Sequence, residues 1–295
     1  MEGIMFEKML VALDFSSYSQ KILDRVPEIP GIREVVLLHV VDATHPSRLG
    51  WTHGPHIENA KILMEEKKEA LEKLGLKVEI SVDVIVNVIT QGTIAQSILE
   101  IAETENVSLI VMGARGINPI QELLLGSVSS TVLRDAGISV LIFRDTAPLS
   151  TTVSDRPLFI NVLVPTDFSR PSDDVISVLK TLEGIKKVAL LHVISRAESK
   201  AEISEGIADA KTRLAALQQD LAAVGIMAIP RVRIGDPTEM ILSVAEEEDV
   251  SLIAMNAHGT DRLRSLILGS TTFTVVRRTK KPILIVRTIK KDETN

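Results

Sequence analysis

The chain has 295 residues, no cysteine, 45% hydrophobic and 24% charged residues, and a formal net charge of −6. This length allows about two globular domains, and the lack of thiols excludes disulfides, thiolate metal sites and cysteine nucleophiles. The acidic balance and an aromatic content of only 3% argue against a nucleic-acid partner.

The first half of the chain alternates short apolar runs with amphipathic stretches. Strands are predicted at Met9–Leu13, Val35–Val41, Val78–Val86, Val107–Met112 and Ile138–Phe143, and helices at Ser19–Val26, Ala60–Leu74, Thr93–Thr104 and Ser127–Asp135. Apolar strands separated by helices are typical of a parallel sheet covered on both faces. No apolar run reaches the roughly 18 residues of a membrane helix, and the first residues do not form a signal peptide. We therefore expect a cytoplasmic protein without a membrane segment.

The second half of the chain repeats the first. The strand that ends in Asp14 returns 153 residues later before Asp167, and a glycine motif returns 143 residues later. We therefore predict an α/β fold of two tandem copies of a five-stranded, doubly wound, Rossmann-like parallel sheet. The predicted organisation is a first domain over residues 1–146, a polar, proline-containing linker over 147–157 and a second domain over 158–295.

A glycine-rich loop follows the fourth predicted strand of the first copy, in the pattern Gly113-x2-Gly116-x9-Gly126-Ser127. Glycines let the backbone approach a ligand closely, and Ser127 opens a helix whose free N–H groups favour a phosphate. Asp14 is expected at the same edge of the sheet, where it can accept hydrogen bonds from a ribose hydroxyl or an adenine amine. The alternative is that these residues only form turns and helix caps, which the recurrence of the motif disfavours.

The chain resembles a tandem member of the ATP-binding branch of the universal stress protein (UspA) family. The resemblance rests on the strand-end aspartates, the Leu-Leu-His-Val segments at 37–40 and 190–193, and the glycine motif, and it covers nearly all of both copies. It implies a stress-response or signalling regulator that binds ATP or AMP, with Mg²⁺ accompanying the phosphates. It implies nucleotide-binding roles for Ala12, Asp14, Val40, Met112, Gly113, Gly116, Gly126, Ser127 and Val128, and for Asp167, Val193, Met255, Gly259, Gly269 and Ser270.

The second copy departs from the motif, because Asn256 stands where the first copy has Gly113. Asparagine tolerates left-handed backbone better than most residues, so we expect the turn to survive, with the side chain occupying space beside the ligand. His258 in the same loop contacts a phosphate or faces solvent, and we favour solvent. His39 and His192 are expected to be satisfied core imidazoles rather than ligands.

An insertion around Thr44–His56 in the first copy contains three histidines and Trp51. No carboxylate or further ligand completes a recognisable metal-binding spacing there, so we predict no metal site. Trp51 covers a nucleotide, packs on a partner or anchors the loop, and the sequence leaves these roles open.

No catalytic group is apparent beside the glycine motif. The sequence has no Walker loop, no nucleophile elbow and no His-Glu-x-x-His pair, so we expect no catalysis, or ATP turnover that is very slow. Two alternatives stay open: a slow Mg²⁺-dependent ATP hydrolase or adenylate-forming enzyme, and a protein-interaction scaffold that binds no nucleotide.

The last predicted strand of each copy, Ile138–Phe143 or Pro282–Val286, presents unpaired backbone groups at the edge of its sheet. Members of the resembled family commonly dimerise through this strand. The resemblance therefore implies an internal pseudo-dimer of the two repeats, with a homodimer of chains as an open alternative and an unidentified regulatory protein as partner.

Overall fold

The computed structural model describes residues 6–43, 54–85, 92–114, 125–144, 156–195, 199–257 and 268–287. These residues divide into two units, an N-terminal unit between residues 6 and 143 and a C-terminal unit between residues 156 and 287. Each unit is a five-stranded parallel sheet with helices connecting the strands, so the predicted fold class is confirmed.

The N-terminal unit begins with a strand and alternates strands with helices. Its strands are β1 (Lys8–Leu13), β2 (Glu34–Asp42), β3 (Lys77–Ile85), β4 (Leu109–Gly113) and β5 (Ser139–Phe143), and its helices are α1 (Ser17–Arg25), α2 (Gly54–Glu72), α3 (Ile94–Thr104) and α4 (Ser127–Asp135). The strands lie in the order β3-β2-β1-β4-β5, and all neighbouring strands are parallel. The chain thus winds outward in both directions from β1 and β4, which leaves a crevice at their carboxyl ends.

The C-terminal unit repeats this topology. Its strands are β6 (Asn161–Pro165), β7 (Lys187–Ile194), β8 (Met227–Ile234), β9 (Leu252–Asn256) and β10 (Ile283–Val286), and its helices are α5 (Arg170–Leu179), α6 (Lys200–Ala222), α7 (Pro237–Glu247) and α8 (Ser270–Arg278). The order is β10-β9-β6-β7-β8, again with parallel neighbours. The crevice of this unit therefore lies at the ends of β6 and β9.

The core of each unit is built on its central strands. Leu10 and Val11 of β1 and Ile110 and Val111 of β4 are completely buried. Burying such a side chain stabilises a fold by roughly 1.5–3 kcal/mol each. The apolar side chains of these strands therefore hold the sheet between its two layers of helices. This packing also holds the carboxyl ends of the strands in place.

Helix α2 begins earlier than the sequence pattern indicates. It starts at Gly54, six residues before the predicted start at Ala60, and carries Pro55 in its first turn. Proline favours a first helical turn because it has no N–H to leave unpaired there and its φ is already helical. Amphipathic periodicity does not detect such a turn, so His56 lies on a helix rather than in the insertion loop.

Candidate functional site

A cavity of about 470 Å³ opens at the carboxyl end of the N-terminal sheet. The ends of β1, β2 and β4 and the first turns of α1, α3 and α4 line it. Eight of the nine site residues predicted in this copy lie on its surface, namely Ala12, Asp14, Val40, Met112, Gly113, Gly126, Ser127 and Val128. The ninth, Gly116, lies outside the described residues.

The cavity also has an apolar wall that the sequence analysis did not single out. Ile22 of α1, Leu38 of β2, and Ile94 and Ile98 of α3 contribute to it. The spacing of Ile94 and Ile98 places both on one face of their helix. That spacing is a signal in the sequence, but it is equally typical of any helix packed on a sheet, so it does not by itself indicate a pocket.

Asp14 lies in the cavity with one carboxylate oxygen satisfied and the other not. Its Oδ1 accepts hydrogen bonds from the backbone N–H of Ser16 at 3.0 Å and from the Ser16 hydroxyl at 2.6 Å. Its Oδ2 is buried and has no hydrogen-bond partner. A buried acceptor without a donor is costly, by about 1–3 kcal/mol, so this oxygen is suited to accept a hydrogen bond from a ligand.

His39 lies on the cavity surface beside the end of β1. Its Nδ1 is 2.8 Å from the Leu13 carbonyl oxygen, so Nδ1 carries the proton that it donates and Nε2 is left as an acceptor. Burial lowers the pKa of the imidazole, which is therefore neutral near pH 7. Its ring also packs on Phe15, with 4.5 Å between ring centroids.

The start of α4 forms the opposite side of the cavity. Gly126 is the N-cap residue and supplies no side-chain cap, so the first N–H groups of α4 are not occupied by a capping side chain. The Gly126 N–H donates to the Ala114 carbonyl at 2.7 Å, and the Ser129 hydroxyl donates to the Gly113 carbonyl at 2.8 Å. These bonds hold the helix end against β4 at a place that is favourable for an anion.

The predicted residues of the C-terminal unit lie at the corresponding edge of its sheet. Asp167 follows β6, Val193 is in β7, Met255 is in β9, and Gly269 and Ser270 begin α8, whereas Gly259 and His258 lie outside the described residues. The Asp167 side chain is exposed, and its Oδ1 accepts hydrogen bonds from the Ser169 N–H and hydroxyl and from the Ser172 hydroxyl.

His192 in the C-terminal unit has the same local setting as His39. Its Nδ1 lies 2.9 Å from the Thr166 carbonyl oxygen, and its ring stacks on Phe168 at 4.4 Å. The guanidinium of Arg213 lies 5.0 Å from the centre of the Phe168 ring.

Within the described residues, no group of three or more His, Asp or Glu side chains is arranged to hold a metal ion. His45, Trp51 and His53 lie outside the described residues, as does the side chain of His56. No helix in the described part of the chain is long and apolar enough to span a bilayer.

Comparison with known proteins shows that one family model matches this chain twice, once in each half. The model of the "Universal stress protein family" matches residues 5–144 and again residues 159–287. Universal stress protein YxiE of Bacillus subtilis is 38% identical over 156 residues, which cover 48% of this chain and 100% of the relative. Universal stress protein Mb2028c of Mycobacterium bovis is 25% identical over 274 residues, which cover 86% of this chain and 87% of the relative. A crystal structure of a universal stress protein from Archaeoglobus fulgidus is 27% identical, covers 97% of both chains and has a TM-score of 0.70.

Proposed function

This chain belongs to the universal stress protein family, with one family domain in each half, and on that premise we propose that it is a stress-response or signalling regulator whose N-terminal unit binds ATP or AMP. The observation that carries the proposal is Asp14, which lines a cavity of nucleotide size and whose buried Oδ2 has no hydrogen-bond partner. Ligand pockets commonly have volumes of about 300–1,000 Å³, and this one has about 470 Å³.

The chemistry around Asp14 favours a nucleoside over a simple anion. A carboxylate repels a phosphate and accepts from a neutral donor, such as a ribose hydroxyl or an exocyclic amine. The apolar wall, which includes Ile22, Ile94 and Ile98, suits the flat face of a base, because burial of that face removes apolar surface from water. Asp14 is the only formally charged residue among the described lining residues.

The start of α4 is the part of the cavity that suits the phosphates. The N–H groups that follow Gly126 and the exposed Ser127 side chain lie at the positive end of the helix dipole. Mg²⁺ would be held mainly by phosphate oxygens and water, because it keeps several waters and needs few protein ligands.

We propose binding with little or no turnover. Hydrolysis requires a group that positions the attacking water and a cation that stabilises the developing charge. The described lining residues contain no second carboxylate, and no lysine or arginine that could stabilise that charge. A slow hydrolase or adenylate-forming enzyme is the second candidate, and a scaffold without nucleotide is the third.

Acid denaturation of the freshly purified protein, followed by chromatography of the released nucleotides against standards, tests the proposal. We expect about one ATP or AMP per chain, or binding of added ATP with Mg²⁺ if nucleotide is lost in purification. If the protein neither releases nor binds a nucleotide, only the scaffold alternative remains. Conversion of bound ATP to ADP or AMP that requires Mg²⁺ and is lost in Asp14→Ala would favour the enzyme.

A further inference from the structure

In both units the same backbone hydrogen bond holds the start of the last helix to the residue that follows the fourth strand. In the N-terminal unit, the Gly126 N–H donates to the Ala114 carbonyl at 2.7 Å, and in the C-terminal unit the Gly269 N–H donates to the Ala257 carbonyl at 2.8 Å. Both glycines have nearly the same backbone angles, with φ of −62° and −60°. The backbone at the start of α8 therefore matches that at the start of α4.

A hydroxyl also ties the helix to the end of the fourth strand in both units. Ser129 donates to the Gly113 carbonyl at 2.8 Å, and Thr272 donates to the Asn256 carbonyl at 3.1 Å. Gly113 and Asn256 thus occupy the same place at the end of a strand. The two positions differ in that Asn256 carries a side chain.

The Asn256 side chain bonds to the start of a neighbouring helix. Its Nδ2 donates a hydrogen bond of 2.7 Å to the carbonyl oxygen of Pro171, which lies in the first turn of α5. This contact joins the end of β9 to the start of the helix that follows β6. It links two segments that are 85 residues apart in the chain.

The corresponding residues of the N-terminal unit lie around its cavity. There, Gly113 lines one side of the cavity, and Ser19, in the first turn of α1, lines another. Ser19 corresponds to Ser172, the residue after Pro171. The bridge from Asn256 to Pro171 therefore joins a strand end and a helix start whose counterparts in the N-terminal unit line its cavity.

The acid of the second cleft also differs from that of the first. Asp14 keeps a buried oxygen without a partner, whereas Asp167 is exposed and its Oδ1 has three donors from Ser169 and Ser172. The buried carboxylate oxygen without a donor, which favours a ligand in the first cleft, thus has no counterpart in the exposed Asp167.

We propose that Asn256 closes the C-terminal cleft to nucleotides, so that the chain binds one nucleotide, in its N-terminal unit. This inference rests on the proposed function, and it makes Asn256 the residue that sets the number of sites. Removal of its side chain opens a second site, because the backbone at Gly269 matches that at Gly126 and Asp167 follows β6 as Asp14 follows β1.

The test is the number of ATP molecules bound per chain, measured by isothermal titration calorimetry with ATP and Mg²⁺ on the full chain. We expect about one for the wild type and about two for Asn256→Gly, and a return to one when Asp167→Ala is added to that variant. Asn161→Gly is the matched control, because it removes a similar bond, from Nδ2 to the Glu248 carbonyl at 3.0 Å, at the amino end of the same sheet. It should leave the count at one.

Different outcomes overturn the two proposals. Two ATP molecules on the wild type, one on Asn256→Gly, or a second site in Asn161→Gly would each overturn the role of Asn256 and leave the proposed function standing. No ATP on the wild type would overturn the proposed function. Asn256→Ala, with circular dichroism to show that it is folded, repeats the test if the glycine variant does not fold.

Discussion

A residue with a left-handed backbone follows the aspartate in both units. Phe15 has a φ of 57° and Phe168 a φ of 60°. Such a conformation costs a bulky residue about 1–3 kcal/mol and persists only where its surroundings hold it. Each phenylalanine packs on the histidine of the neighbouring strand, which supplies that support. The turn fixes the direction in which Asp14 leaves the sheet.

Asp14→Ala should weaken ATP binding by about ten- to a hundredfold, because a hydrogen bond to a charged group contributes about 1.5–3 kcal/mol. Titration calorimetry measures the change in Kd. Asp167→Ala is the matched control, and we expect it to leave the Kd of the wild type unchanged. An equal loss in both variants would contradict the assignment of the site to the N-terminal unit.

His39 should make stability depend on pH. Burial lowers the pKa of its imidazole from the ordinary 6.5, so the unfolded chain binds this proton more readily than the folded chain does. The contribution of His39 to the free energy of unfolding is fully present above pH 6.5, and it decreases as the pH falls from 6.5 towards the lowered pKa.

His39→Gln tests this dependence and keeps a donor for the Leu13 carbonyl. Urea unfolding of both proteins at several pH values gives the difference in unfolding free energy. We expect the advantage of the wild type over the variant to shrink as the pH falls below 6.5. A difference in unfolding free energy that stays the same at every pH would contradict the role assigned to this imidazole.

At the scale of the elements, α3 links helix capping to the cavity wall. The Thr93 side chain accepts from the Gln96 N–H, and the Gln96 side chain accepts from the Thr93 N–H at 2.7 Å, which forms a capping box. The same helix supplies Ile94 and Ile98 to the cavity. Its first turn therefore positions two residues of the wall.

Thr93→Ala should lower the free energy of unfolding by about 1 kcal/mol, because it removes the cap. Urea unfolding measures the loss, and Thr93→Ser, which keeps the hydroxyl, should restore most of it. The corresponding helix of the C-terminal unit, α7, is also capped by a side chain, because Asp236 accepts a hydrogen bond from the Glu239 N–H at 3.0 Å. A Thr93→Ala protein as stable as the wild type would show that the cap does not hold α3.

At the scale of the whole molecule, two units of one fold differ in the state of their clefts. The N-terminal unit has an open cavity and a buried acceptor, and the C-terminal unit has the bridge from Asn256 to Pro171. A ligand that binds one unit stabilises the folded state by about 2.7 kcal/mol at a hundred times its Kd. We expect that stabilisation to be confined to the N-terminal unit.

Hydrogen exchange with and without ATP and Mg²⁺ measures where the stabilisation falls. Amide exchange should slow at the first turn of α4 and at α3, and stay unchanged at the first turn of α8. In Asn256→Gly, protection should extend to α8. Equal protection of α4 and α8 in the wild type would contradict a single site.

The two copies, the fold class and eight of the sixteen described residues that line the cavity could be predicted from the sequence. This was possible because buried parallel strands are nearly continuous apolar runs, and because residues that follow such strands meet at one edge of the sheet. Asp14 could thus be predicted from its place after a strand, and Gly113 and Ser127 from the glycine motif that begins where the fourth strand ends. The internal pseudo-dimer, the domain boundaries and the nucleotide itself stay predictions.

The contacts that the side chains make at that edge depend on parts of the chain that are far apart in sequence. The unpartnered oxygen of Asp14 and the closure of the wall by Ile22 and Ile98 depend on how separate elements pack. The bond from Asn256 to Pro171 joins segments 85 residues apart. Sequence periodicity specifies the face on which a residue lies, but the direction of a side chain is set by contacts with distant parts of the chain, and local patterns do not contain them.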